Sequence, residues 1–199
     1  MKKLLLTLIF LLPLSLYAET SILFLGDSLT AGHGVDEAQG YVALVEKKLA
    51  KKGYKLKISN GSVSGSTSAS AAGRMRWFLK AKPDWVFLAL GANDGLRGRP
   101  VSEIAKDLNT AIDLAQKAGV KVMLAGMRMP PNYGEVYTRD FAAMYRQIAA
   151  KKKLALLPFV LKGVGGRPWL NQSDGIHPNP KGHAIIADLV ADFIEQTIK

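Results

Sequence analysis

The chain has 199 residues, enough for one well-filled domain and short for two. A hydrophobic content of 48% and a charged content of 22% are ordinary for a soluble globular protein. There is no cysteine, which excludes disulfides and a lipoprotein anchor, and the net charge of +11 comes without zinc-ligand spacing, an arginine-rich arm or aromatic-basic interleaving, so no nucleic-acid partner is expected.

The elements are predicted in chain order. Lys2 and Lys3 precede the apolar run Leu4–Leu12, then Pro13, then Leu16-Tyr17-Ala18. A positive start, an apolar centre and a small residue at a cleavage position predict a secretory signal peptide over residues 1–18, cut after Ala18. The run is short for a membrane span. Export to the periplasm or the medium follows, and residues 19–199 are expected to form the mature domain. Removing Lys2 and Lys3 from the +11 leaves +9, with lysines spread over helix faces at Lys47, Lys48, Lys51, Lys52 and Lys151–Lys153. Such a surface is solvated, and it also suits transient contact with anionic lipid headgroups.

Ile22–Leu25 reads as a short buried strand that breaks at Gly26-Asp27-Ser28. Tyr41–Lys52 has its apolar residues at helical spacing and ends at Gly53. Tyr54–Ser59 alternates as a strand does, and the polar loop Asn60–Thr67 follows, with Ser66 or Thr67 placed to cap the helix through Arg76–Leu79. Pro83 stops that helix, and Trp85–Leu90 is a buried strand ending in Gly91–Gly95. Val101–Ala118 is predicted as a helix closed by Gly119, Val120–Ala125 as a strand, Gly126–Gly134 as a long loop, Thr138–Lys152 as a helix, Leu154–Phe159 as a strand and Pro180–Ile198 as the last helix. Strands alternating with helices imply right-handed crossovers and a parallel sheet covered on both faces. One α/β domain is expected, with five strands in the flavodoxin-like order 2-1-3-4-5 and helices in the outer layers.

Ser28 stands at the C-terminal end of the first strand, where open α/β sheets place ligands. As a nucleophile it needs a base, an orienting acid and oxyanion donors; as a plain turn, Asp27 and Ser28 would only cap a helix. Three histidines limit the choice of base. His33 has no acid at a helpful spacing, and His183 falls within the last helix. His177 lies three residues after Asp174, with Gly175 between them to permit a tight turn. One turn can therefore set a carboxylate on Nδ1 and leave Nε2 facing outward, as a serine base requires. Backbone N–H groups of Ser28 and Gly65 and the amide of Asn93 are candidate oxyanion donors.

Gly26-Asp27-Ser28-Leu29, Gly65, Gly91-Ala92-Asn93-Asp94 and Asp174-Gly175-Ile176-His177 resemble, in order and spacing, the four sequence blocks of the GDSL, or SGNH, hydrolase family. Gly91–Gly98 and Met129–Gly134 further resemble its exported bacterial acyl-thioesterase, lysophospholipase and arylesterase branch. The resemblance implies a three-layer α/β/α sandwich of the SGNH hydrolase fold. It implies Ser28, Asp174 and His177 as the catalytic triad, with Ser28, Gly65 and Asn93 forming the oxyanion hole. Ala92 departs from a place often held by a second glycine. Thr30 stands where G-x-S-x-G would need glycine, which disfavours an α/β-hydrolase elbow.

The expected function is a serine esterase acting on carboxylic esters and thioesters of medium-to-long acyl chains, lysophospholipids among them. It would need no metal and no cofactor, and it would act as a monomer. Leu96, Met129, Pro130 and Tyr133 are expected to line the acyl pocket, because methionine adapts to irregular apolar shapes. A carbohydrate O-acetylesterase on the same scaffold is the alternative. A non-catalytic binder of envelope polymer has only the positive charge in its favour.

Overall fold

Residues 19–199 are described by a computed structural model; the expected signal segment, residues 1–18, lies outside the described residues. The first apolar run forms β1 (Thr20–Gly26), and Ile22–Leu25 are buried as a strand covered on both faces must be. It lies between β2 (Leu56–Asn60) and β3 (Trp85–Ala89), with Ile22 paired to Ile58 and Phe24 to Phe87. β4 (Lys121–Ala125) and β5 (Ala155–Leu157) complete a five-stranded, all-parallel sheet in the order β2-β1-β3-β4-β5. The order reverses direction between β1 and β3, so the loops leaving these strands diverge and open a crevice at their C-terminal ends.

The helices are α1 (Ser28–Ala31), α2 (Tyr41–Lys51), α3 (Ala71–Phe78), α4 (Ala92–Leu96), α5 (Val101–Lys117), α6 (Glu135–Lys152) and α7 (Pro180–Ile198). α2 and α7 pack together on one face, where Phe24 meets Tyr41 and Phe87 meets Phe193 edge-on at 6.2 and 6.3 Å. α3, α5 and α6 form the other layer. In α5 the buried residues Ile104, Leu108, Ala111, Ile112 and Ala115 recur at helical spacing and turn one stripe onto the sheet. The result is the three-layer α/β/α sandwich expected. No helix among the described residues is long and apolar enough to cross a membrane.

Several local expectations are corrected. β5 is shorter than Leu154–Phe159 because Pro158 has no N–H for the ladder. Its neighbour Gly126 also comes so close that a Cβ there would lie 2.5 Å from the Pro158 carbonyl oxygen. Gly91–Gly95 continues into the short α4 instead of a plain turn. α6 starts at Glu135, three residues early, with an acid in its first turn that favours the positive helix end. Neither Ser66 nor Thr67 caps a helix with its side chain. Thr67 precedes the 3-10 turn Ser68–Ser70 without such a bond, and the Ser66 hydroxyl accepts from Arg74.

Candidate active site

β1 delivers Ser28 to the crevice through a turn that admits only glycine at position 26, where a Cβ would lie 2.6 Å from the Thr30 Cβ. Asp27 is the N-cap of α1, and its carboxylate accepts the Leu29 N–H at 3.1 Å. It does cap the turn, while Ser28 stands beside it as the first helical residue. Asp27 is only 2% exposed, and burial pushes its carboxyl up to about 6, against the opposing pull of the Leu29 N–H, His177 and Arg74.

Across the crevice a hairpin-like excursion carries the histidine. Asn171 and Pro178 form an antiparallel bridge, the Gln172 N–H donates to the His177 carbonyl, and Gly175 turns the tip at φ 75°. The amide of Asn171 donates to the Val164 and Arg167 carbonyls, and the amide of Gln172 donates to those of His33 and Pro178. Asn179 closes the excursion as the N-cap of α7, accepting from the Lys181 and Gly182 N–H groups ahead of which Pro180 is already set for the helix.

At the tip, one Asp174 oxygen accepts the N–H groups of Ile176 and His177 at 2.9 and 3.0 Å, and the other lies 2.6 Å from Nδ1 of His177. Nε2 of His177 lies 2.9 Å from the Ser28 hydroxyl. The His177 N–H, the His177 side chain and the Ile176 N–H together hold the Asp174 carboxyl down at about 2. A carboxylate fixed in its charged form against Nδ1 leaves Nε2 free to accept the serine proton.

Gly65 and Asn93 line the same cavity as Ser28 and His177. Gly65 adopts φ 77°, a left-handed conformation natural to glycine. Nδ2 of Asn93 donates to the Ser66 carbonyl at 3.1 Å, which fixes the orientation of the amide and leaves its second N–H available.

The cavity has a volume of about 520 Å³. Leu96, Met129 and Pro130 line it, joined by Met127, Phe159 and Leu161. Tyr133 is not among the lining residues; its hydroxyl donates to the Leu96 carbonyl at 3.0 Å. His33, set aside as a base, lies in the cavity with its ring 4.7 Å from that of His177. Among the described residues no cluster of three or more His, Cys, Asp or Glu side chains is placed to hold a metal ion.

Sequence reasoning missed the groups that brace these loops. Arg74 donates to the Gly26 and Gly61 carbonyls and to the Ser66 hydroxyl. Asp94, fully buried, accepts from Ser68 and Arg99. Their partners are distant in the chain, so only the Asp94–Arg99 spacing, with Glu103 and Asp107 following, offered a signal.

Residues 24–185 match the model of the GDSL-like lipase/acylhydrolase family. The chain is 44% identical over 162 residues to the esterase TesA of Pseudomonas aeruginosa, an alignment covering 81% of each chain. It is 35% identical over 182 residues to the thioesterase 1/protease 1/lysophospholipase L1 of Escherichia coli K12, covering 91% of this chain and 86% of that one. The crystal structure of the psychrotrophic esterase EstA from Pseudoalteromonas sp., inhibited by monoethylphosphonate, superposes with a TM-score of 0.86 at 34% identity, over 90% of this chain and 99% of that one. With serine, glycine, asparagine and the aspartate–histidine pair carried on the strand-end loops of this fold, the chain belongs to the GDSL-like lipase/acylhydrolase family.

Proposed function

We propose that this protein is a serine esterase that hydrolyses carboxylic esters and thioesters of medium-to-long acyl chains through an acyl-enzyme on Ser28. The observation that carries the reading is the Ser28–His177–Asp174 relay, with links of 2.9 and 2.6 Å, opening into an apolar cavity. The Ser28 oxygen attacks the acyl carbonyl while Nε2 of His177 takes its proton, and the Asp174 carboxylate stabilises the imidazolium. The N–H groups of Ser28 and Gly65 and the free N–H of Asn93 hold the tetrahedral oxyanion. Collapse breaks the carbonyl–oxygen or carbonyl–sulfur bond, and the alcohol or thiol leaves with the proton from His177. Water then attacks the acyl-enzyme with His177 again as base, releasing the fatty acid and restoring Ser28.

The names of the relatives (esterase, thioesterase and lysophospholipase) agree with this chemistry. The wall of methionine, leucine, proline and phenylalanine favours an acyl chain over a sugar ring, so no observation favours the carbohydrate O-acetylesterase. The amino-terminal sequence supports export to the periplasm or the medium. The basic surface, together with exposed Ile176 on the excursion that carries His177 and exposed Trp169 just before it, supports transient contact with lipid surfaces. One chain supplies all the groups the chemistry uses, which supports action as a monomer.

A fluorophosphonate probe tests the reading: it should label the protein, and Ser28→Ala should lose both labelling and ester hydrolysis with its thermal midpoint nearly unchanged. Hydrolysis by that variant within tenfold of the parent rejects the assignment. Asn93→Ala should lower kcat by roughly a hundredfold or more, as loss of one oxyanion donor does elsewhere.

A further inference from the structure

We propose that Asp94 is a positioning residue of the oxyanion site, acting through Ser68 and Arg99 to fix the Gly65 loop against the turn that carries Asn93. The proposal rests on the reading of Gly65 and Asn93 as oxyanion donors. The side-chain position of Gly65 is open: beyond its two chain neighbours, no atom lies within 4 Å of the point where a Cβ would be. Hydrogen bonds on its C-terminal side hold the loop: Arg74 donates to the Ser66 hydroxyl, and two further ties end on adjacent residues. The Ser66 carbonyl accepts from Asn93 at 3.1 Å. Two residues on, Ser68 donates both its N–H, at 2.7 Å, and its hydroxyl, at 2.8 Å, to the two oxygens of the Asp94 carboxylate. The donor loop is thus tied to the Asn93–Asp94 dipeptide at two points that bracket Thr67.

Asp94 and Ser68 are both 0% exposed, and burying a carboxylate without partners is costly. Arg99 supplies the countercharge: one guanidinium nitrogen donates to Asp94 at 2.9 Å, to Ser68 at 3.0 Å and to Asp107 at 2.6 Å. The Arg99 N–H also donates to the Asp94 carbonyl at 3.1 Å, so the loop returns the arginine to the acid it neutralises. An ion pair of this kind, its carboxylate 0% and its arginine 28% exposed, seldom adds stability over apolar packing, but its bonds restrict the orientation of the Asp94 carboxylate. A tetrahedral oxyanion rewards that restriction, because donors must be placed within about 0.5 Å to be effective.

The test compares Ser68→Ala and Asp94→Asn with the parent on a p-nitrophenyl octanoate substrate, at a temperature where each is folded. Inhibition by octylboronic acid reports on a tetrahedral adduct at the serine, and inhibition by octanoate reports on acyl binding alone. Each variant should lose about tenfold or more in kcat with KM within about twofold. Affinity for the boronic acid should fall by a similar factor, and octanoate inhibition should hold. Should Asp94→Asn fail to fold, Ser68→Ala, which removes a single hydroxyl, carries the test. A kcat within fivefold of the parent, or equal weakening of both inhibitors, overturns the proposal. Full activity in Ser28→Ala would instead overturn the serine reading itself, so the two failures are distinct.

Discussion

Two carboxylates flank Ser28, and their environments drive them in opposite directions. Asp174 stands partly in solvent and accepts two backbone N–H groups and the histidine, which keeps it ionised down to about pH 2. A carboxylate held that low does not set an acid limb of kcat/KM near neutrality. Asp27 is buried with one cap bond and holds its proton up to about 6 against an ordinary 3.8. The fold therefore binds this proton more tightly than the unfolded chain does. The stability from that binding is fully present below about pH 3.8 and is lost as the pH rises through 6. Its size is on the order of 3 kcal/mol from pH 4 to pH 8. Asp27→Asn keeps an oxygen for the Leu29 N–H and removes the titration. Urea unfolding of both proteins should show the variant gaining on the parent by about that amount over this range, and a difference independent of pH would reject the assignment. The spacing of Asp174, Gly175 and His177 was legible in the sequence because one turn makes the pair. The burial of Asp27 was not, because it depends on residues distant in the chain, among them Leu90, Ala125, Met127 and Val160, which line a small cavity with it.

At the scale of the element, α7 is seated by its first turn. Gly182 approaches the Leu170 carbonyl more closely than any side chain would allow, and His183, 1% exposed, accepts the Tyr41 N–H of α2 on Nδ1 at 3.2 Å. That bond places the imidazole proton on Nε2, which has no hydrogen-bond partner among the described residues. Burial, with a smaller push from His177, lowers this histidine to about 4 from 6.5. Its folded value lies below the ordinary one, so the associated stability is present above pH 6.5 and is lost as the pH falls through 4. The expected loss is on the order of 3 kcal/mol. His183→Asn retains a hydrogen-bond acceptor without the charge, and the advantage of the parent should shrink by about that amount from pH 7 to pH 4. An unchanged advantage would mean that His183 is hydrated or already charged in the fold. The Asp27 and His183 slopes oppose each other over nearly the same pH range, so the parent profile should be flatter than that of either variant. The helix α2 was legible in the sequence by its apolar period, and α5 was read up to the glycine that closes it. α4 and the early start of α6 were not, because Gly91 at φ 116° and Gly134 at φ 85° set them, and a glycine in sequence signals a break without its direction.

For the whole molecule, alternation of strands and helices was enough to give the sheet order, since right-handed crossovers leave few alternatives. The lining of the cavity beside Ser28 was only half legible. The loop after β4 announced Met129 and Pro130, whereas Phe159 and Leu161 follow the short β5 and gave no sign of facing the serine. Tyr133 misled for the converse reason: an aromatic residue between proline and glycine says nothing of which side of a wall it takes. Leu96, Met127, Met129, Phe159 and Leu161 around about 520 Å³ make a wall that gains from each methylene it covers. That gain is up to about 0.8 kcal/mol per methylene, or about fourfold in kcat/KM when the contact is held in the transition state. Specificity should therefore climb from p-nitrophenyl acetate through hexanoate to octanoate and decanoate, then level once the chain emerges from the cavity. Matching acyl thioesters should follow the same order, because the proposal seats the acyl chain, and not the leaving group, against this wall. Phe159→Ala should flatten the climb while leaving the acetate rate within about twofold, since it removes covered apolar area without touching the relay. Steady-state kcat/KM across the four esters decides between acyl and acetyl specificity, and a maximum at acetate would transfer the assignment to a deacetylase.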